Sequence, residues 1–362
     1  MHDTSLTNTL TKRLGIAYPI IQAPMAGVST PALAAAVSNA GGLGCLGVGA
    51  MNTAAAREAI HATRALTDKP FGVNVFCHAP VAPDDAAAAK WLQYLAPCFA
   101  RFDTAPPEKL TAIYTSFAVN PEMLEMLVQE RPAVVSFHFG LPASAAIEAL
   151  HNAGVYLMAS ATNLDEARQI ADAGIDAVVA QGIEAGGHRG MFDPRAQDDE
   201  LDTQALTRLL VSQQALPVVA AGGIMNGAGI CDALSWGAQA AQLGTAFVAC
   251  PESSADAAHR KLLLAGEPVP TTLTTAISGR PARGISNAFT ALGQRRECPP
   301  TPGYPMTYDA GKALNAAAKA QGVSDFGAHW AGQAAHLSRG LPAQALMQAL
   351  VTECQAHGRE LE

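Results

Sequence analysis

The chain has 362 residues, 49% hydrophobic and only 15% charged, which supplies apolar material for a large core and excludes the composition of a disordered chain. Its formal net charge is -8, with no basic stripe to neutralise a phosphate backbone. That excludes a nucleic-acid partner and leaves room for a small anionic substrate met by a few local cations.

The first apolar strand is expected over 19–26. It ends in Ala23-Pro24-Met25-Ala26-Gly27, small residues that let the backbone touch a flat ligand. A helix follows, with Thr30 as N-cap and Pro31 at its first position, and stops near Gly41-Gly42. A strand over 43–48, a helix over 53–66 and a strand over 71–76 come next. Asn74 is a polar residue inside that apolar strand. An unpaired buried amide costs about 1–3 kcal/mol, so Asn74 needs partners, either a ligand or neighbouring backbone.

Residues 77–133 are too long for one crossover and read as an insertion, with helices near 84–102 and 121–130 and Tyr114 between them. A strand over 133–140 carries His138, structural or functional, just before its terminal glycine. A strand over 156–162 precedes a helix opened by Asn163, with Asp165 and Glu166 placed well for the helix dipole.

The apolar strand 176–180 runs into Gln181-Gly182-Ile183-Glu184-Ala185-Gly186-Gly187-His188-Arg189-Gly190. Its glycines let backbone N–H groups approach a ligand closely. His188 is the side chain there that exchanges protons near neutral pH without help. A tight turn bearing a surface histidine is the plainer alternative. A strand over 217–221 leads into Gly222-Gly223 and a helix near 227–236, and a strand over 240–243 leads into Gly244-Thr245.

Eight strand-like segments, most separated by helix-length spacers, predict an α/β fold: a parallel TIM (β/α)8 barrel. The absence of G-x-G-x-x-G behind the first strand weakens a dinucleotide-fold reading. Beyond 250 the pattern turns helical, near 254–265, 309–321, 325–339 and 342–357. The predicted division is a barrel over 1–250, with the insertion at 77–133, and a mainly helical substrate-side domain over 251–362, packed across the catalytic face. Arg280 and Arg283 lie between the helices and either bind phosphate or order their Pro/Gly-rich segment.

Seven scattered cysteines without a C-x-x-C pair predict a reduced chain with no thiolate metal site, and no metal-ligand spacing is found. A basic segment followed by an apolar run is absent, and no apolar run reaches about 18 residues. The expectation is a cytoplasmic enzyme, a monomer or homodimer, with neither membrane nor nucleic acid as partner.

In such barrels the active site forms at the C-terminal ends of the strands, and phosphate is often held after the seventh and eighth. Both of those loops are glycine-rich here, and Thr245 adds a hydroxyl donor; the alternative is two ordinary tight turns. Asn74 and Gln181 supply amides for the edge of a heterocycle. A phosphate with a flat polar ring fits flavin mononucleotide (FMN) better than a sugar phosphate, with His138 and His188 standing over the ring.

Together, Gln22–Gly27, Phe71–Val75, Gln181–Gly190, Ala221–Ile224 and Gln242–Thr245 resemble the nitronate monooxygenase family, formerly called 2-nitropropane dioxygenase, over nearly the whole chain. The resemblance implies an FMN-bound TIM barrel that oxidises alkyl nitronates, such as propionate 3-nitronate, with O2 to carbonyl compounds and nitrite. It implies cofactor contacts at Ala23, Pro24, Met25, Asn74, Gln181, Gly186, Gly187, Gly222, Gly223, Gln242, Leu243, Gly244 and Thr245. His188 matches the family's catalytic histidine. Tyr304-Pro-Met-Thr-Tyr308-Asp-Ala-Gly-Lys312 resembles the class I branch, in which Tyr304, Tyr308 and Lys312 line the substrate pocket with Tyr114 and His138. Their four-residue spacing puts them on one face if helical, although the proline after Tyr304 weakens the first turn. The rival readings are an NAD(P)H-dependent flavin reductase of the same fold, acting on quinones or enoyl thioesters, and a non-redox barrel.

Overall fold

The computed structural model describes residues 6–213 and 215–360. Eight strands form the barrel: β1 (Ile20–Gln22), β2 (Gly44–Gly47), β3 (Phe71–Phe76), β4 (Val134–His138), β5 (Tyr156–Ala161), β6 (Ala177–Gln181), β8 (Val218–Ala221) and β9 (Ala240–Leu243), with a short β7 (Gly187–His188) outside it. Every pairing is parallel, in the order β1-β9-β8-β6-β5-β4-β3-β2, and a parallel bridge between Ile21 and Leu43 closes the ring. The strands read as apolar runs because helices cover them outside and side chains fill the inside. The register sets Gln22 beside Leu243 and Gln181 beside Ala221, bringing these strand ends to one rim.

Ile21, Leu43, Cys45, Val134, Met158, Val179 and Val219 pack the lumen. The helix Thr9–Leu14 plugs its far end with Leu10 and Leu14. That helix is too short to leave a periodic signature in the sequence. Side chains of Thr30, Asn163 and Asn226 cap the helices that follow β1, β5 and β8, each accepting from an N–H in the first turn.

The segment after 250, expected to be mainly helical, also carries two strands and returns to the barrel. The helix Ala343–Glu360 returns to the barrel, where Leu346, Met347 and Leu350 pack on Leu33, Val37 and Ile230 as part of the outer layer. A disulfide between Cys231 and Cys354 ties it there, which corrects the expectation of fully reduced cysteines; scattered spacing carries no sign of this contact across 123 residues.

Strands β10 (Thr271–Thr274) and β11 (Ala282–Ile285) form an antiparallel sheet whose third member is β7, so the C-terminal segment grips the loop bearing His188. The helix expected over 325–339 is absent apart from one turn, Ala335–Leu337. The chain there is extended because it pairs with β11: Trp330 bridges Gly284, and the Ala331 N–H donates to the Arg283 carbonyl. In the insertion, Trp91, Leu95 and Phe99 of the helix Asp85–Ala100 share a cluster with Leu314 and Ala318 of the helix Met306–Ala320. The helix Pro121–Glu130 covers the outside of the barrel between β3 and β4. Among the described residues, no helix is long and apolar enough to cross a membrane.

Candidate functional site

One cavity of about 600 Å³ opens at the C-terminal rim, within the size range of small-ligand sites. Of the residues singled out above as site residues, all but Leu243 line it. Leu243 is 1% exposed and packs into the outer core, because strand alternation sends it away from the rim. Its carbonyl instead accepts the N–H of Ala23, fixing the Ala23-Pro24-Met25 wall.

On the barrel side the wall is backbone and small residues. Gly222 and Gly223 have φ of 132° and 69°, conformations that L side chains rarely adopt. The turn is braced by Thr203, whose N–H donates to the Glu184 carboxylate at 2.9 Å and whose hydroxyl lies 3.0 Å from the Gly222 carbonyl. A Cβ on Gly222 would come within 2.6 Å of that hydroxyl. Thr245 Oγ accepts the Gly332 N–H at 3.0 Å, so its own proton is left for a ligand.

The two barrel amides have protein partners. Asn74 donates from Nδ2 to the Ser136 carbonyl and hydroxyl, at 3.1 and 2.9 Å, leaving its carbonyl oxygen as an acceptor at the wall. Gln181 is engaged at both ends: Nε2 donates to the His188 carbonyl at 2.9 Å, and Oε1 accepts the Gly190 N–H at 2.7 Å. It holds the loop in place. Arg189, fully buried, clamps the same loop from behind through Asp198 and the carbonyls of Gln181 and Gly182.

The outer side is aromatic. The His188 ring stands 5.2 Å from Trp330, 5.5 Å from Phe139, 5.7 Å from Tyr304 and 6.0 Å from Tyr308, centroid to centroid. Burial pushes its imidazole down to about 3, with His138 and Arg280 adding to the shift. Burial likewise lowers His138 to about 4; the His188 carbonyl opposes that shift, while Arg280 and Arg189 reinforce it. Both rings are therefore neutral at neutral pH. His138 Nε2 lies 3.2 Å from the His188 carbonyl, an acceptor only, so this nitrogen carries the proton and Nδ1 accepts from Ser160 at 3.0 Å. His138 has both nitrogens occupied and serves to hold the His188 backbone.

Tyr304 precedes the helix Met306–Ala320 across a cis peptide bond to Pro305, so the expected helical face contains only Tyr308 and Lys312. The three still converge. Tyr114 lies 6.1 Å from Tyr304 and 6.0 Å from Tyr308, and Lys312 Nζ sits 5.0 and 5.3 Å from the Tyr114 and Tyr308 rings. Burial pushes the Tyr114 and Tyr308 phenols up to about 12 and raises Tyr304 well above its ordinary value, so all three remain hydrogen-bond donors. The Tyr304 hydroxyl is buried with no partner among the described residues, and a ligand in the cavity would supply one.

Arg280 and Arg283 do not line the cavity. Arg280 stacks 4.3 Å over Phe139 and donates to the Met191 carbonyl, while Arg283 donates to the Ile183 carbonyl at 2.9 Å, so both order the loops around the site. Among the described residues no cluster of His, Cys, Asp and Glu is arranged to hold a metal. Sequence reasoning missed Trp330, hidden in a stretch read as helix, and Ser136, Ser160 and Ser278, whose residue type alone carries no signal.

A family model described as nitronate monooxygenase matches residues 7–353. A nitronate monooxygenase from Paraburkholderia phytofirmans is 61% identical, over 98% of this chain and 96% of its own length. Another from Pseudomonas aeruginosa is 53% identical, over 96% and 99%. Among solved structures, a nitroalkane oxidase from Streptomyces ansochromogenes superposes with a TM-score of 0.88 at 37% identity, covering 98% of this chain and 100% of that one. FabK from Thermotoga maritima superposes with a TM-score of 0.74 at 29% identity, covering 98% of both.

Proposed function

This chain belongs to the nitronate monooxygenase family, and from that premise we propose that it is an FMN-dependent enzyme oxidising small alkyl nitronates, propionate 3-nitronate among them, with O2 to carbonyl compounds and nitrite. The observation that carries this reading is a single cavity with two unlike walls: a glycine and backbone cradle on the barrel side, and His188, three tyrosines and Lys312 on the other.

The cradle fits FMN by its donors and its space. Gly222, Gly223, Gly244 and Thr245 would meet the phosphate with N–H groups and one hydroxyl. The Ala23–Met25 wall would lie against the ring, which Gly47 permits: a Cβ there would reach within 2.7 Å of the Ala26 nitrogen and push that wall inward. Asn74 Oδ1 would accept a ring N–H. When bound, FMN supplies the electron-accepting ring and its reactivity with O2.

The chain's own residues bind and orient the substrate. Lys312 and the hydroxyls of Tyr114, Tyr304 and Tyr308 meet the nitro oxygens, where the anion's charge resides. His188 is neutral and carries no charge to pair with the anion. For a neutral nitroalkane it is the candidate acceptor of the carbon proton. We further propose a cytoplasmic monomer or homodimer without nucleic-acid or membrane partners, in which the expected 251–362 domain forms the substrate side over the barrel through residues 251–342, its last helix having joined the barrel's outer layer.

His188→Asn tests the reading. FMN stays bound and nitronate turnover falls at least about tenfold, set against the roughly 10²–10⁴-fold typical of a lost general acid–base group. Wild-type turnover in the fully loaded variant would refute the role of His188.

A further inference from the structure

His188 Nε2 lies 2.9 Å from the hydroxyl oxygen of Ser278, a side chain that is fully buried. The serine carries one proton and has two acceptors within reach: that ring nitrogen and the Arg280 carbonyl, 3.2 Å away. The Arg280 N–H points at the same oxygen from 3.4 Å. Two arrangements follow. If the serine donates to His188, the Arg280 carbonyl loses the hydroxyl that faces it, in a residue only 4% exposed. If the serine donates to the carbonyl, its oxygen receives the Nε2–H of His188 and all these groups are satisfied. Buried polar groups are paired in the great majority of cases, which selects the second arrangement.

The surroundings fix this geometry. Strand β11 sets Ala282 opposite His188, bringing the 278–280 turn against the ring. The turn is pinned in place: at Gly279, φ is 90° and a Cβ would stand 2.5 Å from the Gly303 carbonyl carbon. On its other sides the ring meets Phe139, Tyr304, Tyr308 and Trp330. The titratable or charged groups around it are His138, Arg280, Tyr304 and Tyr308, with no carboxylate among them. Among the described residues no protein group bonds Nδ1, on a ring that lines the cavity.

We infer that Ser278, backed by the Arg280 carbonyl, is a positioning residue that holds His188 in its Nε2–H tautomer, so that Nδ1 presents a bare lone pair to the substrate. The inference rests on the proposed function, in which His188 faces a nitronate or nitroalkane. It adds an orientation. A lone pair repels nitro oxygens and suits a C–H group or a transferred proton, so the oxygens turn toward Lys312 and the tyrosines.

The test is nitrogen NMR of FMN-loaded protein labelled at histidine, with long-range proton–nitrogen correlations assigned by their loss in His188→Asn. The expected spectrum shows Nε2 protonated and Nδ1 bare. In Ser278→Ala the Nδ1–H form gains population and turnover falls about tenfold or more, with FMN content unchanged. An Nδ1–H form in the wild-type protein overturns the inference, as does an unchanged tautomer in Ser278→Ala. If the Nε2–H form is found while His188→Asn turns over nitronate at the wild-type rate, the tautomer stands and the functional reading of His188 fails.

Discussion

Replacing Arg189 by methionine removes the clamp behind the His188 loop while keeping most of the side-chain volume. Arg189 is fully buried, and its partner Asp198 is 16% exposed in its side chain. The pair is bidentate, at 2.7 and 2.8 Å, and the same guanidinium donates to the carbonyls of Gln181 and Gly182 at 2.8 and 3.1 Å. Breaking a buried pair by removing one partner costs roughly 3–5 kcal/mol, chiefly because the other charge is left uncompensated. Unfolding entropy of about 2.1 cal/mol/K per residue, taken over the chain, converts that to a fall in Tm of roughly 4–7 °C. The assay is thermal unfolding of FMN-loaded protein at neutral pH with cofactor held constant. Asp198→Asn in the same background removes the stranded charge, so the double variant recovers part of the loss. A Tm within about 1 °C of wild type for Arg189→Met would refute the reasoning, since it would mean that the loop does not depend on this pair.

Gly222→Ala sets a Cβ at a φ of 132° and 2.6 Å from the Thr203 hydroxyl; with strain of roughly 1–3 kcal/mol, FMN affinity falls about tenfold or more, read by flavin fluorescence titration. Unchanged affinity would remove the Gly222-Gly223 turn from the cofactor site. Lys312→Met raises KM for a nitronate about tenfold or more at constant FMN content, as expected for a lost hydrogen bond to a charged group, whereas an unchanged KM would show that the lysine does not touch the anion. Burial, as the leading cause in each case, lowers His78, His138 and His259 to about 4 and His188 to about 3. The unfolded chain takes up these protons near pH 6.5 and the folded chain does not. Stability is therefore complete above about 6.5 and is lost as pH falls toward 4, with a slope per histidine of up to about 1.4 kcal/mol per pH unit. Urea midpoints that stay level between pH 7 and 5 would contradict this.

The barrel was legible because its signal is local. Each strand is an apolar run ending in small residues, and the repeat of strand and helix leaves few topologies. The rim residues followed from the barrel, since ligands gather at one end of the strands. What stayed hidden depends on contacts across long separations. The pairing of β7 with β11 joins residues far apart in sequence, and Gly187-His188 is too short to read as a strand. The extended segment around Trp330 is Ala-rich and reads as helix until its pairing with Gly284 is known. Gln181 and His138 were legible as site residues, but their partners were not: each holds the His188 carbonyl, and only the geometry shows it. Leu243 was carried along by its motif neighbours, although strand alternation alone would have turned it into the core.

The measurement that tests the central claim most directly is anaerobic mixing of the FMN-loaded protein, once with a small alkyl nitronate and once with NADH or NADPH, followed in the visible flavin band. The account predicts that the nitronate changes the band and the nucleotides leave it intact, with nitrite released when O2 is admitted. Rapid bleaching by a nicotinamide nucleotide with no response to nitronate would contradict it, and would leave Tyr304, Tyr308 and Lys312 without the substrate assigned to them.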